Sequence, residues 1–265
     1  MIMKKIISAV LCLLSAASTF SFAQGTDNDL ETDFRGRISV GMDKKLFKGF
    51  HVGAEGEVRF TDNFGEIGRY QIGTGLSYKM TSWLKAGLGY VFIENRGSSG
   101  TYNPRHRAYA DLTGTLACGD FRFSLRERLQ YTGRSGVNKY QTNPNSLALK
   151  TRAKILYKGF NGISPYAFAE IRFTLNDPAC TADWNGTEYS NYEFNGYSDT
   201  YLSRLRGGVG LQWKLDAKNS LDFTFMLDYI YTKETDTNKS GTKLKSLTYD
   251  RTLAPTFCLG YSFSF

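Results

Sequence analysis

Along Ala254–Phe265, the large residues Phe257, Leu259, Tyr261, Phe263 and Phe265 alternate without a slip with Cys258, Gly260, Ser262 and Ser264. A period of two places the first set on one face of a strand and the second on the other. The same alternation recurs along the chain, and no segment sustains the 3.6-residue period of an amphipathic helix. The pattern predicts strands over 33–42, 50–61, 67–80, 83–94, 105–118, 121–132, 147–157, 164–175, 201–215, 220–232 and 247–265. Each is long enough for a tilted membrane crossing. The expected fold is all-β, a transmembrane antiparallel up-and-down (meander) barrel of about 10–12 strands.

Gap lengths orient the strands. The short gaps 81–82, 119–120, 158–163 and 216–219 alternate with the longer 95–104, 133–146, 176–200 and 233–246. Short turns belong to the periplasm and long loops to the outside. The final strand then descends to the periplasm, but so does the first. Single-chain bacterial barrels have an even number of strands. Twelve is therefore the preferred count, reached by a short strand in 24–31 or by a differently divided crossing, unless 24–31 passes through the lumen.

The basic start Met1–Lys5, the apolar run 6–17 and the small-x-small Ser21-Phe22-Ala23 predict a secretory signal over 1–23, leaving a single barrel domain over 24–265. The closing aromatic strand resembles the terminal signal of bacterial outer-membrane barrels. That resemblance implies insertion into outer-membrane lipid by the barrel-assembly machinery, with Tyr261, Phe263 and Phe265 as the assembly signal. Composition agrees: 15% aromatic residues, 27 Gly and only 5 Pro suit a large antiparallel sheet. Lys4 and Lys5 leave with the signal, taking the formal charge from +8 to +6. Cys118, Cys180 and Cys258 are odd in number and lack metal-ligand spacing, so neither a disulfide framework nor a zinc site is expected.

Inside and outside follow from cost, because a basic side chain at the bilayer midplane costs about 2–4 kcal/mol. The inward basic positions are Arg35, Arg37, Arg59, Arg69, Lys79, Lys85, Arg105, Arg107, Arg122, Arg126, Arg128, Lys150, Arg152, Lys154, Arg172, Arg204, Arg206 and Lys214. The inward acids are Glu55, Glu57, Asp111, Glu170, Asp222, Asp228 and Asp250. Glu127 resists: its parity turns it to lipid unless a bulge rotates it, a proton neutralises it or a partner covers it.

Three segments carry a more specific likeness. Arg105–Leu112, Phe121–Arg128 and Ile163–Glu170, in that order, resemble the outer-membrane barrel family called domain of unknown function 2490. The resemblance implies the barrel fold, an outer-membrane location and an origin in Bacteroidota, and it brings no activity or catalytic residue.

A lumen lined by an excess of one charge focuses its field on counter-charged solutes, and guanidinium forks suit carboxylates and phosphates. One reading is therefore a small anion-preferring channel or a binding lumen for acidic solutes, acidic saccharides among them. The other is a non-conducting structural or surface-interaction barrel, its interior closed by ion pairs. In the second reading Asp111 faces Arg128 and lies diagonal to Arg126. The loop 176–200 carries Asp177, Asp183, Glu188, Glu193 and Asp199 with no Lys or Arg. It either folds into the mouth to neutralise the lining, binds calcium, or offers Trp184, Tyr189, Tyr192 and Tyr197 to outside partners. Inward Gly73, Gly75, Gly87 and Gly89 leave a bare patch that accepts a ligand ring or seats an aromatic from elsewhere in the barrel. A lipid-modifying enzyme finds little support, because His106 lies on the lipid-facing parity with no serine beside it. No enzymatic activity, cofactor, metal or nucleic acid is expected, and the barrel is expected to be monomeric.

Overall fold

A computed structural model describes residues 26–97 and 99–265. The expected signal segment 1–23 lies outside the described residues. The elements, all strands, are β1 Thr26–Thr32, β2 Arg35–Phe47, β3 Phe50–Thr61, β4 Glu66–Lys79, β5 Leu84–Arg96, β6 Tyr102–Cys118 and β7 Phe121–Arg134. They continue with β8 Asn145–Tyr157, β9 Ile163–Asp177, β10 Cys180–Trp184, β11 Tyr189–Phe194, β12 Asp199–Lys214, β13 Asn219–Thr237 and β14 Leu244–Ser264. Every predicted crossing is present. β10 and β11 pair only with each other, as a hairpin within the loop 176–200.

The remaining strands form a twelve-stranded sheet that closes where β14 meets β2. Consecutive crossings are antiparallel, whereas β14 runs parallel to both β2 and β1. Glu31 and Thr32 face Thr252 and Leu253, and Arg35 and Gly36 face Thr256 and Phe257, so β1 and β2 lie end to end on one register. The segment expected to supply a twelfth strand does so, but it extends an existing crossing. Eleven strands go round the barrel, and the first and last descend together. The even count fails because hydrogen bonding needs only that the two edges meet; a parallel seam removes both edges at slightly less stability per residue.

The seam also explains the break between β1 and β2. Leu253 O accepts the Asp33 amide at 3.0 Å. Groups two residues apart in a strand point to the same side, so the amide that Pro255 lacks would have pointed to this same edge. The outer turn 62–65 braces the break: Asn63 Oδ1 accepts from Phe34 N and Asp33 Oδ1 from Asn63 N, both at 3.1 Å. Asp62, Asn63 and Phe64 there occupy the left-handed region, with φ of 53°, 51° and 68°, a conformation that Asp and Asn tolerate better than Phe.

The apolar faces turn outward. Ile72, Leu88, Leu112, Val209, Phe223, Phe257 and Leu259 are exposed on the wall. Trp83, Phe121, Trp213 and Phe265 lie toward the short turns, and Tyr70, Tyr90, Tyr102 and Tyr131 toward the long loops, as the aromatic girdles of a membrane barrel require. At one short turn, Asp216 accepts from the Asn219 side chain and from the Lys218 and Asn219 amides, which hold its carboxyl below the usual range. The polar faces meet inside, so charge and hydrogen bonds line most of the barrel interior, with Ile93, Ala148, Met226 and Ala254 among the few buried apolar residues.

Candidate functional site: the lumen wall

Across the waist of the barrel the charges pair. Glu170 on β9 lies 2.7 Å from Arg152 on β8 and 3.3 Å from both Arg126 on β7 and Arg206 on β12. Asp228 on β13 takes Arg206 through two nitrogens, and Arg37 on β2 at 3.4 Å. Asp111 meets its register partner Arg128 at 2.6 Å, and Glu57 holds Arg59. The Asp111–Arg128 contact follows the strand pairing. Arg126 lies diagonal to Asp111 in register, as expected, but its ion pair is with Glu170, level with it two strands away. Glu170 is only 3% exposed and Asp228 wholly enclosed, and the arginines of this belt line a cavity below them.

Other basic residues find no carboxylate. Among the described residues Arg69, Arg105, Arg107, Arg134, Lys150, Arg172 and Arg204 make no ion pair. Arg69 donates to Asn95 Oδ1 at 2.7 and 3.0 Å, and Arg107 leans on Thr132 at 3.4 Å. The Nε atoms of Arg134, Arg172 and Arg204 are buried without an acceptor. Arg105 and Arg134 face each other as register partners, as do Lys150 and Arg172.

The remaining expected residues sit around these groups. Arg35 bonds Asp33 beside the β1–β2 break. Arg122, Lys79, Lys85 and Lys214 are exposed toward the short turns. Lys154 lies 3.5 Å from the centre of the Tyr166 ring, whose hydroxyl donates to Asp222 at 2.7 Å. Asp250 faces Thr232, and Glu55 lines the lower cavity without an ion pair. That cavity, about 490 Å³, reaches from Asp43 and Ser262 near the short-turn end up to Arg107, Gln130 and Lys150. An outer cavity of about 720 Å³ is lined by Arg134, Arg172, Arg204, Asp177 and Tyr201. Arg134 was not among the expected lining residues. Extending the parity of β7 two residues beyond its predicted end would have found it.

The glycine patch seats an aromatic. Tyr109 stands on β6 opposite Gly89, where any Cβ would collide with its ring, and a Cβ on Gly75 would lie 3.2 Å from its hydroxyl. Arg128 stacks 3.8 Å from the ring centre. The acidic loop reaches the mouth of the lumen only in part: Asp199 pairs at 2.5 Å with Lys233, which lines the outer cavity, whereas Glu188 pairs with Lys243 at 3.5 Å and Asp183 accepts from Asn191. Tyr197 and Phe194 tie that loop to Lys139 and Tyr140 of the neighbouring loop. Asp177 lines the outer cavity but makes no ion pair among the described residues.

Glu127 does face outward, and no bulge turns it, because β7 keeps unshifted register with both neighbours. Thr151 donates to its Oε2 at 2.7 Å, while Oε1 has no partner. Toward the other histidine, Asp43 and His51 bond at 2.9 Å, with Ser77 opposite His51 on β4. The sequence reading missed this alignment because Asp43 lay outside its predicted first strand; no hydrogen bond joins Ser77 to His51. His106 bonds Tyr90 at 2.6 Å on the outer wall.

Alternating faces, aromatic girdles, short turns at one end with long loops at the other and a charged interior define an outer-membrane-type β-barrel. The chain belongs to the protein family of unknown function DUF2490, whose model matches residues 38–239. It is similar to the NanC porin structure at 13% identity and a TM-score of 0.44, over 88% of this chain and 99% of that one. LpxR from Salmonella typhimurium gives 9% and 0.42, over 80% and 83%. Outer-membrane expressed OmpT of Vibrio cholerae gives 12% and 0.37, over 77% and 58%. No curated protein matches in sequence.

Proposed function

We propose that this barrel resides in the bacterial outer membrane and that its lumen admits small anions in preference to cations. The carrying observation is the row of basic residues left over after Glu57, Asp111, Glu170 and Asp228 have each been matched with arginine. A wall that only had to hold itself closed is served by balanced pairs, because unmatched buried charge is destabilising. The surplus instead attracts anions into a confined space of low dielectric. Planar-bilayer recording on the purified barrel tests this, with reversal potentials in a potassium chloride gradient expected to show chloride more permeant than potassium. Cation preference removes the reading.

A second reading has its own support. Asp228, Ala254 and Thr256 are fully enclosed at the waist, as suits a sealed structural barrel, and it predicts no current above background in the same recording. Neither reading assigns catalysis. The Asp43–His51 pair acts here as a rim contact, so an activated-phosphonate serine probe is expected to leave Ser77 unlabelled.

A further inference from the structure

Lys150, Arg172 and Arg204 stand side by side on β8, β9 and β12, each the register partner of the next. Neighbouring strands lie about 4.8 Å apart, so the row spans about 10 Å across the inner wall. None of the three makes an ion pair. The two acids beside the row on β9 and β13 are engaged by other arginines: Glu170 Oε1 accepts from Arg206, its Oε2 from Arg126 and Arg152, and the oxygens of Asp228 accept from Arg206 and Arg37, while Asp177 on the outer cavity makes no ion pair with the row. The Nε atoms of Arg172 and Arg204 are buried with no acceptor. An unmatched buried donor is costly, and more so on a charged group. The row also sits at a junction, because Lys150 lines the lower cavity and Arg172 and Arg204 the outer one.

We propose that this row is a binding site for a solute carrying two or more carboxylate or phosphate groups about 5–10 Å apart. Resting on the anion-preferring lumen above, it names the class of solute retained there. A single small anion neutralises one member of the row. A solute with several anionic groups engages them together, and the charge-assisted bonds supply the acceptors the guanidiniums lack. Chain closure does not explain the row, since three adjacent like charges oppose the pairing of β8, β9 and β12.

The test is calorimetric titration of the purified, detergent-solubilised barrel with inorganic tripolyphosphate and, separately, with orthophosphate. Tripolyphosphate is expected to bind at least about tenfold more tightly, and each of Lys150→Gln, Arg172→Gln and Arg204→Gln to weaken it about tenfold. Arg122→Gln, at the periplasmic rim, is expected to leave it unchanged. Lys150→Arg keeps the charge and is expected to retain binding, which guards against a glutamine variant that merely misfolds. Equal affinity for the two phosphates, or parental tripolyphosphate affinity in all three glutamine variants, overturns the site. Reversal potentials in potassium chloride alone keep the two proposals apart: chloride preference without tripolyphosphate binding sinks this site and spares the lumen reading, and binding without chloride preference does the reverse.

Discussion

Arg206 and Asp228 face each other as register partners on β12 and β13, and the guanidinium grips the carboxylate through Nε and, at 2.9 Å, through Nη2. Arg37 reaches the same carboxylate from β2, so one buried acid links strands on both sides of the parallel seam. Removing a partner from such a group strands the others in a poorly solvated place. Asp228→Ala is expected to destabilise the folded barrel by about 3–5 kcal/mol in urea unfolding. The double change Arg206→Met with Asp228→Leu is expected to cost less than Asp228→Ala alone. A parental midpoint for Asp228→Ala would show that the belt contributes nothing.

The parallel seam has its own signature. A Cβ on Gly260 would lie 3.2 Å from Ser39 Oγ. Ser39→Cys with Gly260→Cys, in a Cys258→Ser background, is therefore expected to form a disulfide under mild oxidation, seen as a shift on a non-reducing gel. A displaced pair such as Gly41→Cys with Gly260→Cys is expected to react less. Equal yields would argue against this register.

Glu127 presents a carboxyl to lipid with one oxygen unmatched. Glu127→Leu is expected to leave stability unchanged or raise it in the same unfolding assay. Glu127→Lys is expected to lower it by about 2–4 kcal/mol near the midplane. Clear destabilisation by leucine would point to a binding role for this carboxyl on the outer wall.

Anion preference by fixed charge is screened by salt. The Debye length falls from about 10 Å at 0.1 M to about 3 Å at 1 M, so the permeability ratio should decline over that range. Arg107→Gln is expected to lower it at 0.1 M, whereas Lys243→Gln, an exposed residue of the outer loops, is expected not to. Equal effects of the two variants would remove the lumen from the explanation.

The Phe265 amide bonds Asp43 O at 3.0 Å, and Lys44 lies 4.9 Å from its ring centre. Deleting Phe265 removes that one bond and leaves in place the register pairs of β14 with β13 and β2, which end at Phe263 and Ser264. If the closing aromatics are read by the assembly machinery, deletion should cut outer-membrane yield severalfold in cells while refolding in detergent stays close to parental. Parallel losses in both would make the residue structural only.

The sequence by itself determined which face of each strand meets lipid and which meets the lumen. That is a local matter: a period of two combined with the cost of a charge in hydrocarbon leaves one arrangement for Lys150, Arg152 and Lys154 against Leu149, Thr151 and Ala153. It also placed Asp111 against Arg128, because a two-residue turn at Gly119-Asp120 fixes that hairpin's register. Closure belonged to the tertiary structure. An odd set of crossings and an even one carry the same alternation, and only the meeting of β2 with β14 chooses between them. The division of the basic lining into paired and unpaired residues likewise depends on distant partners. Arg37 and Asp228 meet across 191 positions of chain, and Glu170 gathers arginines from three other strands. The row Lys150, Arg172 and Arg204 makes no ion pair while Glu170 and Asp228 beside it bind other arginines, a fact about the closed ring that no single strand contains.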